Sequence, residues 1–385
     1  MTTIPRRRFL QGGALGVGAG WPQGSGLRAQ GSAGGASSSR RVRMVGDGLG
    51  LTPADQAQLW TQLAQEGKVS RDSYSNGGTV AELEARFAAM LGKERAVFMP
   101  TGTLANHLAV RALAGGTGRA IVQAESHLFN DSGDCVQTLS GITLLPLAPG
   151  SGTFTLEEVR AAIDRTASGR VKRPVSVISI ETPVRRQFGE MFDQKELDRV
   201  VAFAQQEGIR LHLDGARLFL QSGYTGIDVA EYARPFDTVY VSLYKYFNAV
   251  SGAILAGPRA LLDEMYHTRR MFGAGLPGAW PFAAVALHYL PGFVERFRQA
   301  IDISEAFITQ LTEHTAFEVE RMPAPTNLFR VRVAGANPTA MRRGLSDRGI
   351  DVGSVRADGT LLVGVNETWN RQSADALTDA FIAAL

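Results

Sequence analysis

The chain has 385 residues, 44% of them hydrophobic and 20% charged, with 40 Lys+Arg against 37 Asp+Glu, a formal net charge of +3 and a pI near 9.1. That composition excludes a disordered, collagenous or coiled-coil chain, and at roughly 100–200 residues per domain the length allows two or three domains. The single cysteine, Cys135, excludes an internal disulfide and a multi-cysteine zinc site.

The first 29 residues hold Arg6, Arg7, Arg8 and Arg28 and no carboxylate, so without them the net charge drops from +3 to −1. The basic balance therefore argues for an address, not a nucleic-acid partner. Arg6-Arg7-Arg8-Phe9-Leu10 and the weakly apolar stretch Gly12 to Gly20 resemble a twin-arginine export signal, with a cleavage point near Ala29 and a Gly/Ser spacer over 30–44. The expected location is periplasmic, reached through the twin-arginine export machinery. Nothing after the leader has the run of about 18 apolar residues that a membrane helix needs.

The body reads as helix alternating with apolar strand. Capping boxes are expected at Thr79/Glu82 and Thr155/Glu158, with Asp193 and Glu196 repeating the device. Strands are expected over Ala96–Met99, Val175–Ile180, Ile209–Leu213, Thr238–Leu243 and Ala253–Ala256. Near-continuous apolar strands between helices indicate an α/β fold with a mainly parallel sheet covered on both faces. From Pro277 a helical stretch ends in short strands at Leu328–Val333 and Leu361–Val365. The expected organisation is a large domain over 45–276 and a small C-terminal α+β domain over 277–385.

Ligands in such sheets bind beyond the carboxyl ends of the strands, and the informative segments lie there. Pro100-Thr101-Gly102-Thr103 carries a strand into a helix, the geometry of an anion site for a phosphate. His212-Leu213-Asp214-Gly215-Ala216-Arg217 ends another strand. With a period of two, His212 and Asp214 share a face, so the imidazole is expected behind the carboxylate. A carboxylate so placed can hold a pyridine nitrogen protonated. Ser242-Leu243-Tyr244-Lys245 sets a lysine among aromatics, where lost hydration lowers its pKa and readies it for imine formation. His127 lies in the polar stretch Glu125–Asp134. Arg185 and Arg186, in Glu181-Thr-Pro-Val-Arg-Arg-Gln-Phe-Gly-Glu190, either bind an anionic substrate group or are solvated loop charges. His107, His267, His288 and His314 show no ligand spacing, and no metal site is expected.

The order of these segments, with the lysine 31 residues beyond the aspartate, resembles fold-type I pyridoxal-phosphate (PLP) enzymes. Over about 46–290 the motifs PTGT, ESHLFND, HLDGAR and SLYK are similar to those of the threonine aldolase and β-eliminating lyase family. The resemblance implies that Lys245 joins PLP as an imine, Asp214 pairs with the pyridinium, Gly102 and Thr103 hold the phosphate, and His127 stacks on the ring. It further implies that Arg217 helps bind the substrate carboxylate or phosphate, and that the chain forms a homodimer or homotetramer.

Several features depart from that pattern. Val45-Gly46-Asp47-Gly48 lacks a serine before the aspartate. Leu361-Leu-Val-Gly364-Val365 has glycine where a carboxylate-clamping arginine belongs, with Arg356 a candidate substitute. Tyr246-Phe247-Asn248-Ala249 follows the lysine in place of a Gly-rich turn and is expected to crowd the cofactor. The leading expectation is a PLP-dependent lyase that cleaves a threonine-like β-hydroxy-α-amino acid to glycine and an aldehyde, with Lys245, His127 and Asp214 as catalytic residues and Arg217, Arg185 and Arg186 as substrate contacts. The alternatives are β-elimination, racemisation or work on another amine, and an exported binding protein that has kept the scaffold.

Overall fold

The computed structural model describes residues 41–385 except 116, 117, 172, 325 and 336. The leader, its cleavage point and most of the expected spacer lie outside the described residues.

Seven strands form the central sheet: β2 (Arg95–Met99), β3 (Arg119–Gln123), β4 (Thr143–Leu147), β5 (Val175–Glu181), β6 (Arg210–Asp214), β7 (Thr238–Ser242) and β8 (Ala253–Gly257), in the order β2-β8-β7-β6-β5-β3-β4. All neighbouring pairs are parallel except β8, which runs antiparallel to both β7 and β2. The carboxyl ends of β2, β3, β5, β6 and β7 therefore meet along one edge. Every residue of β7 and β8 is buried, as expected for central strands covered on both faces.

The helices that matter here are α1 (Pro53–Gln65), α2 (Gly78–Met90), α3 (Gly102–Ala114), α4 (His127–Asn130), α5 (Cys135–Ser140), α6 (Leu156–Ala167), α7 (Gln194–Glu207) and α8 (Leu218–Thr225). The box at Thr155 and Glu158 caps α6. Asp193 caps α7 through the Glu196 N–H, but the Glu196 carboxylate accepts from the Leu156 N–H, tying α7 to α6. The expected box at Thr79 is absent. The chain turns through Gly77 and Gly78 at φ 78° and 53°, Thr79 falls inside α2, and its hydroxyl accepts from the Ser70 N–H and donates to the Ser70 carbonyl.

A smaller antiparallel sheet, β12-β10-β9, is built from β9 (Phe317–Arg321), β10 (Leu328–Val333) and β12 (Thr360–Gly364). The end of the expected spacer is not a spacer. Val42–Arg43 forms β1, paired in parallel with β11 (Ile350–Asp351). The cause is alternation: Val42 and Met44 are fully buried while Arg41 pairs with Asp351. The N-terminal segment thus runs beside β11 and then past the end of β12, where the Gly364 N–H donates to the Met44 carbonyl at 2.8 Å.

Tyr246 and Phe247 are fully buried and turn inward to a cluster with Phe87, Phe219 and Phe293, with ring centroids 5.0 Å apart for Phe219–Phe247 and 5.0 Å for Tyr246–Phe293. The expected crowding of the cofactor by this pair does not occur. Two large aromatics there gain more from burial in the core than from a place beside a polar cavity.

Candidate active site

Asp214 ends β6 and is 3% exposed. Its Oδ2 accepts from Asn106 Nδ2 at 2.6 Å and its Oδ1 from the Ala216 N–H at 3.1 Å. Asn106 projects from α3, and its Oδ1 accepts from His212 Nε2 at 2.9 Å; His212 Nδ1 lies 2.8 Å from Thr238 Oγ1. These bonds fix one another. With the Asn106 amide donating to a carboxylate, its oxygen needs a donor, so Nε2 of His212 carries the proton and Nδ1 accepts from the threonine hydroxyl. Burial holds His212 down to about 4 against the opposing pull of Asp214 and Thr238, so the ring is neutral. The imidazole therefore stands behind Asn106, not directly behind Asp214. Two residues along a strand span about 6.6 Å, too far for a direct bond, and the amide fills the gap.

Lys245 follows β7, with Nζ 6.0 Å from the Tyr240 ring centroid and 5.5 Å from that of Tyr244. Burial and the Arg217 charge lower it from 10.5 to about 8, against Asp214, Asp47 and Glu181. Near pH 7 about a tenth of such an amine is uncharged and nucleophilic, far more than of an unperturbed lysine. Two glycines are required nearby. A Cβ on Gly102, at the start of α3, would lie 2.0 Å from the Tyr240 hydroxyl, and one on Gly48 would lie 2.3 Å from the Lys245 carbonyl oxygen. Thr101 caps α3 by accepting from the Leu104 N–H at 3.2 Å, and Gly102 and Thr103 sit at the positively polarised start of that helix.

Arg217 donates through Nε to Asp47 Oδ2 at 2.9 Å, both side chains nearly inaccessible at 10% and 6%. Asn327, from the start of the small sheet, donates to the other Asp47 oxygen at 3.0 Å. Burial raises the Asp47 carboxyl, but Arg217, Arg185, Asn327 and Lys245 together hold it below its usual range. Burial works against the Arg217 charge, and Asp47 and Glu181 more than restore it. The structure separates the two adjacent arginines. Arg186 is half-exposed and paired with Asp131 at 2.9 Å. Arg185 turns inward toward Asp47 and Arg217, and its Nη1 is buried without a hydrogen-bond partner among the described residues.

Glu181 ends β5 in register with Asp214 and is 3% exposed. Its Oε2 accepts from the His127 N–H at 2.6 Å and its Oε1 from the Arg185 N–H at 3.1 Å. Burial and the adjacent Asp214 push it up to about 7, with the two N–H groups opposing. His127 opens α4, and its Nδ1 is 3.4 Å from Ser132 Oγ.

One cavity of about 410 Å³ gathers Gly102, Thr103, His127, Asp214, Arg217, Lys245, Arg185 and Arg186 in its lining, joined by Glu181, Tyr240, Tyr244 and Ser251. These eight are the residues expected from the sequence to hold the cofactor, bind the substrate or carry the chemistry; His212, which supports Asp214 through Asn106, stands behind the lining. A second cavity of about 630 Å³ shares Arg217, Tyr244, Lys245 and Val250 with it and adds Asp47 and Gly48. Arg356 does not replace the absent arginine: it is exposed in the turn before β12 and borders neither cavity. Gly364 faces backbone, with a Cβ there meeting the Gly46 and Met44 carbonyl oxygens at 3.5 Å. Sequence reasoning missed Asn106, Glu181 and Asn327 and recorded Asp47 only as a departure. The one signal available was that Glu181, like Asp214, is a carboxylate closing an apolar strand.

A buried strand-end carboxylate, a desolvated lysine and the start of a helix beside a glycine that admits no side chain fit PLP, offering a partner for its ring nitrogen, its aldehyde and its phosphate respectively. The sheet order, with one antiparallel strand in an otherwise parallel sheet, and this cavity define a fold-type I PLP enzyme. The chain belongs to the beta-eliminating lyase family, whose model matches residues 57–334. A low-specificity L-threonine aldolase of Candida albicans is 30% identical over 218 residues, 56% of this chain and 58% of that protein. An alanine racemase of Cochliobolus carbonum is 31% identical over 245 residues, 62% of this chain and 60% of that one. The matches thus span less than two thirds of these relatives. A solved structure of a candidate L-allo-threonine aldolase from Listeria monocytogenes superposes with a TM-score of 0.74 at 25% identity, covering 90% of this chain and 96% of that one.

Proposed function

We propose that the protein is a PLP-dependent carbon–carbon lyase that splits a β-hydroxy-α-amino acid, threonine-like, into glycine and an aldehyde. The observation that carries this reading is the convergence of Lys245, the Asn106-held Asp214 and His127 on one cavity. PLP, when bound, supplies a sink for the electron pair left on Cα. The chain's own groups do the rest. Lys245 offers a partly neutral amine to the cofactor aldehyde. Asp214, immobilised by Asn106 and the Ala216 N–H, would pair with the ring nitrogen of the cofactor and hold a proton there. Arg217 and Arg185 bring positive charge to a substrate carboxylate, while Arg186 is spent on Asp131 at the rim. His127, or a water it holds, takes the β-hydroxyl proton. The Cα–Cβ bond then breaks, the β-carbon becomes a carbonyl, and the pair on Cα is later protonated to give glycine.

Purified protein with added PLP is expected to be yellow and to release glycine and aldehyde from β-hydroxy amino acids, and Lys245→Ala to lose both properties. Colourless wild-type protein that gains nothing from added PLP would overturn the reading. A second reading, racemisation or β-elimination, is favoured by one feature: no side chain at 364 clamps the carboxylate. Turnover of alanine or a β-substituted amino acid, with no glycine from any β-hydroxy substrate, selects it.

We also propose export through the twin-arginine machinery, supported by Arg6-Arg7-Arg8-Phe9-Leu10, and a homo-oligomeric state. Replacing Arg6, Arg7 and Arg8 with lysine is expected to retain the protein in the cytoplasm; unchanged export would dismiss the signal.

A further inference from the structure

We propose that Glu181 is a positioning residue that sets two parts of the site, the His127 helix and the Arg185 turn, in one register against Asp214. The inference rests on the PLP reading for its catalytic meaning but not for its geometry.

The observations are local. Glu181 is the last residue of β5, and its backbone is pinned on both sides by the Gln123 side chain, which accepts from the Glu181 N–H at 2.9 Å and donates to the Glu181 carbonyl at 2.7 Å. A side chain on so fixed a stem is a rigid acceptor. From it the two carboxylate oxygens reach in different directions, one to the N–H that starts α4, the other to the N–H of Arg185. Each segment has further ties, the Ser126 cap and the Asn130 and Ser132 bonds around α4 and the Val184–Glu190 bridge beside the turn, but Glu181 holds the N–H that opens each of them. The helix α4 has four residues, and Arg185 opens a three-residue 3₁₀ turn. One carboxylate thus fixes where the imidazole of His127 and the guanidinium of Arg185 leave the backbone.

A purely structural need would not select this group. Register pairing places Glu181 beside Asp214 on the same face of the sheet, so a buried carboxylate adds repulsion and desolvation cost. A glutamine would avoid both, but it accepts at only one end. Its NH₂ would meet an N–H, donor against donor, and the start of one of the two segments would lose its bond to residue 181. Two converging backbone donors require an acceptor-only side chain, which at this volume only ionised glutamate supplies, and the two N–H groups favour that form.

Glu181→Gln is therefore the decisive variant, since it keeps size and breaks half of the clamp; Glu181→Ala removes all of it. Thermal unfolding of each first establishes that the fold is retained. In the cofactor-free protein, hydrogen exchange read by mass spectrometry is expected to speed up in peptides covering 124–133 or 182–190 in Glu181→Gln, in both in Glu181→Ala, and nowhere else. Loaded with PLP, Glu181→Gln is expected to keep the visible absorbance, because Lys245 and Asp214 are untouched, while the induced circular dichroism of that band changes with the tilt of the His127 ring. KM is expected to rise about tenfold or kcat to fall about tenfold according to whether the Arg185 or the His127 segment is released. Unaltered exchange in both peptides overturns the proposal whether or not the protein binds PLP. Unaltered dichroism, KM and kcat in a variant that exchanges faster confines Glu181 to a structural role and overturns the positioning claim. A wild type that takes up no PLP, with the exchange changes present, refutes the function and leaves the clamp standing.

Discussion

At Lys245 two requirements conflict, and the conflict is measurable. The folded cofactor-free site resists protonation, since burial and Arg217 bring the amine from 10.5 to about 8. Below pH 8 the unfolded chain holds a proton that the folded site takes up only at a cost. The cost is full below about 8, shrinks between 8 and 10.5, and is gone above 10.5. Lys245→Met removes it. Allowing for the partial exposure of this lysine, the cofactor-free variant is expected to be about 2 kcal/mol more stable than wild type at pH 7, and the gain to be clearly smaller near pH 9.5. Urea unfolding at the two pH values measures this, and an equal gain at both would refute the pKa argument. Asn106 carries the opposite kind of prediction. Asn106→Ala strips a hydrogen bond from Asp214 and from His212 at once, leaving two buried polar groups short of a partner. A loss of about 2–3 kcal/mol in stability and about tenfold in PLP affinity is expected. Wild-type affinity in that variant would mean that Asp214 needs no support from α3.

The elements show which parts of this arrangement could be read from the sequence. Strands β5 to β8 were legible because both of their faces are covered and nearly every residue is buried, so β-branched and other apolar residues recur in them without strict alternation. β9 was not, because its Phe-Glu-Val-Glu-Arg sequence is half exposed and draws its stability from pairing with β10. β1 and β11, of two residues each, carry no periodicity at all. Lys245, Asp214 and Gly102 could be found because their chemistry is local to a strand end or a helix start. Asn106, Asp47 and Asn327 could not, since each acts on a partner more than 100 residues away. Residue order misled where geometry is finer than order. Thr79 falls inside a helix instead of capping it, and Arg185 and Arg186, though adjacent, face opposite ways around a turn. The start of α3 makes the element-scale prediction. Gly102→Ala inserts a methyl group 2.0 Å from the Tyr240 hydroxyl, so either the helix start or the ring must move. PLP affinity is expected to fall at least about tenfold, by more than 1.4 kcal/mol, with a modest cost in melting temperature. Titration of the variant with PLP and with inorganic phosphate measures it, and unchanged affinity would take the phosphate away from this turn.

Across the described residues, the site is where the segment after β1 and the small sheet are tied to the middle of the chain. Asp47 arrives from the segment that begins with β1, Arg217 from the end of β6, and Asn327 from the small sheet, and all three meet at one carboxylate. Asp47 is therefore a link between the small sheet and the large one as well as a counter-charge for Arg217 and Arg185. Replacing it with asparagine keeps the shape but leaves two arginines buried beside a neutral amide. Breaking a buried pair from one side costs about 3–5 kcal/mol, because the remaining charge has nowhere to be solvated, and Asp47→Asn is expected to lose about that much stability at pH 7. The pH dependence follows from the direction of the shift. The cations hold the folded Asp47 carboxyl below its unfolded value of 3.8, so its contribution is fully present above that value and is lost as pH falls toward the folded pKa. Wild type and variant should differ most near neutrality and begin to converge only as pH falls below about 3.8 toward the folded value. Unfolding curves at pH 7, 5 and 3 decide it. A constant difference across that range would mean that Asp47 acts through shape alone, and that the charge balance of the site rests on Glu181 and Asp214 instead.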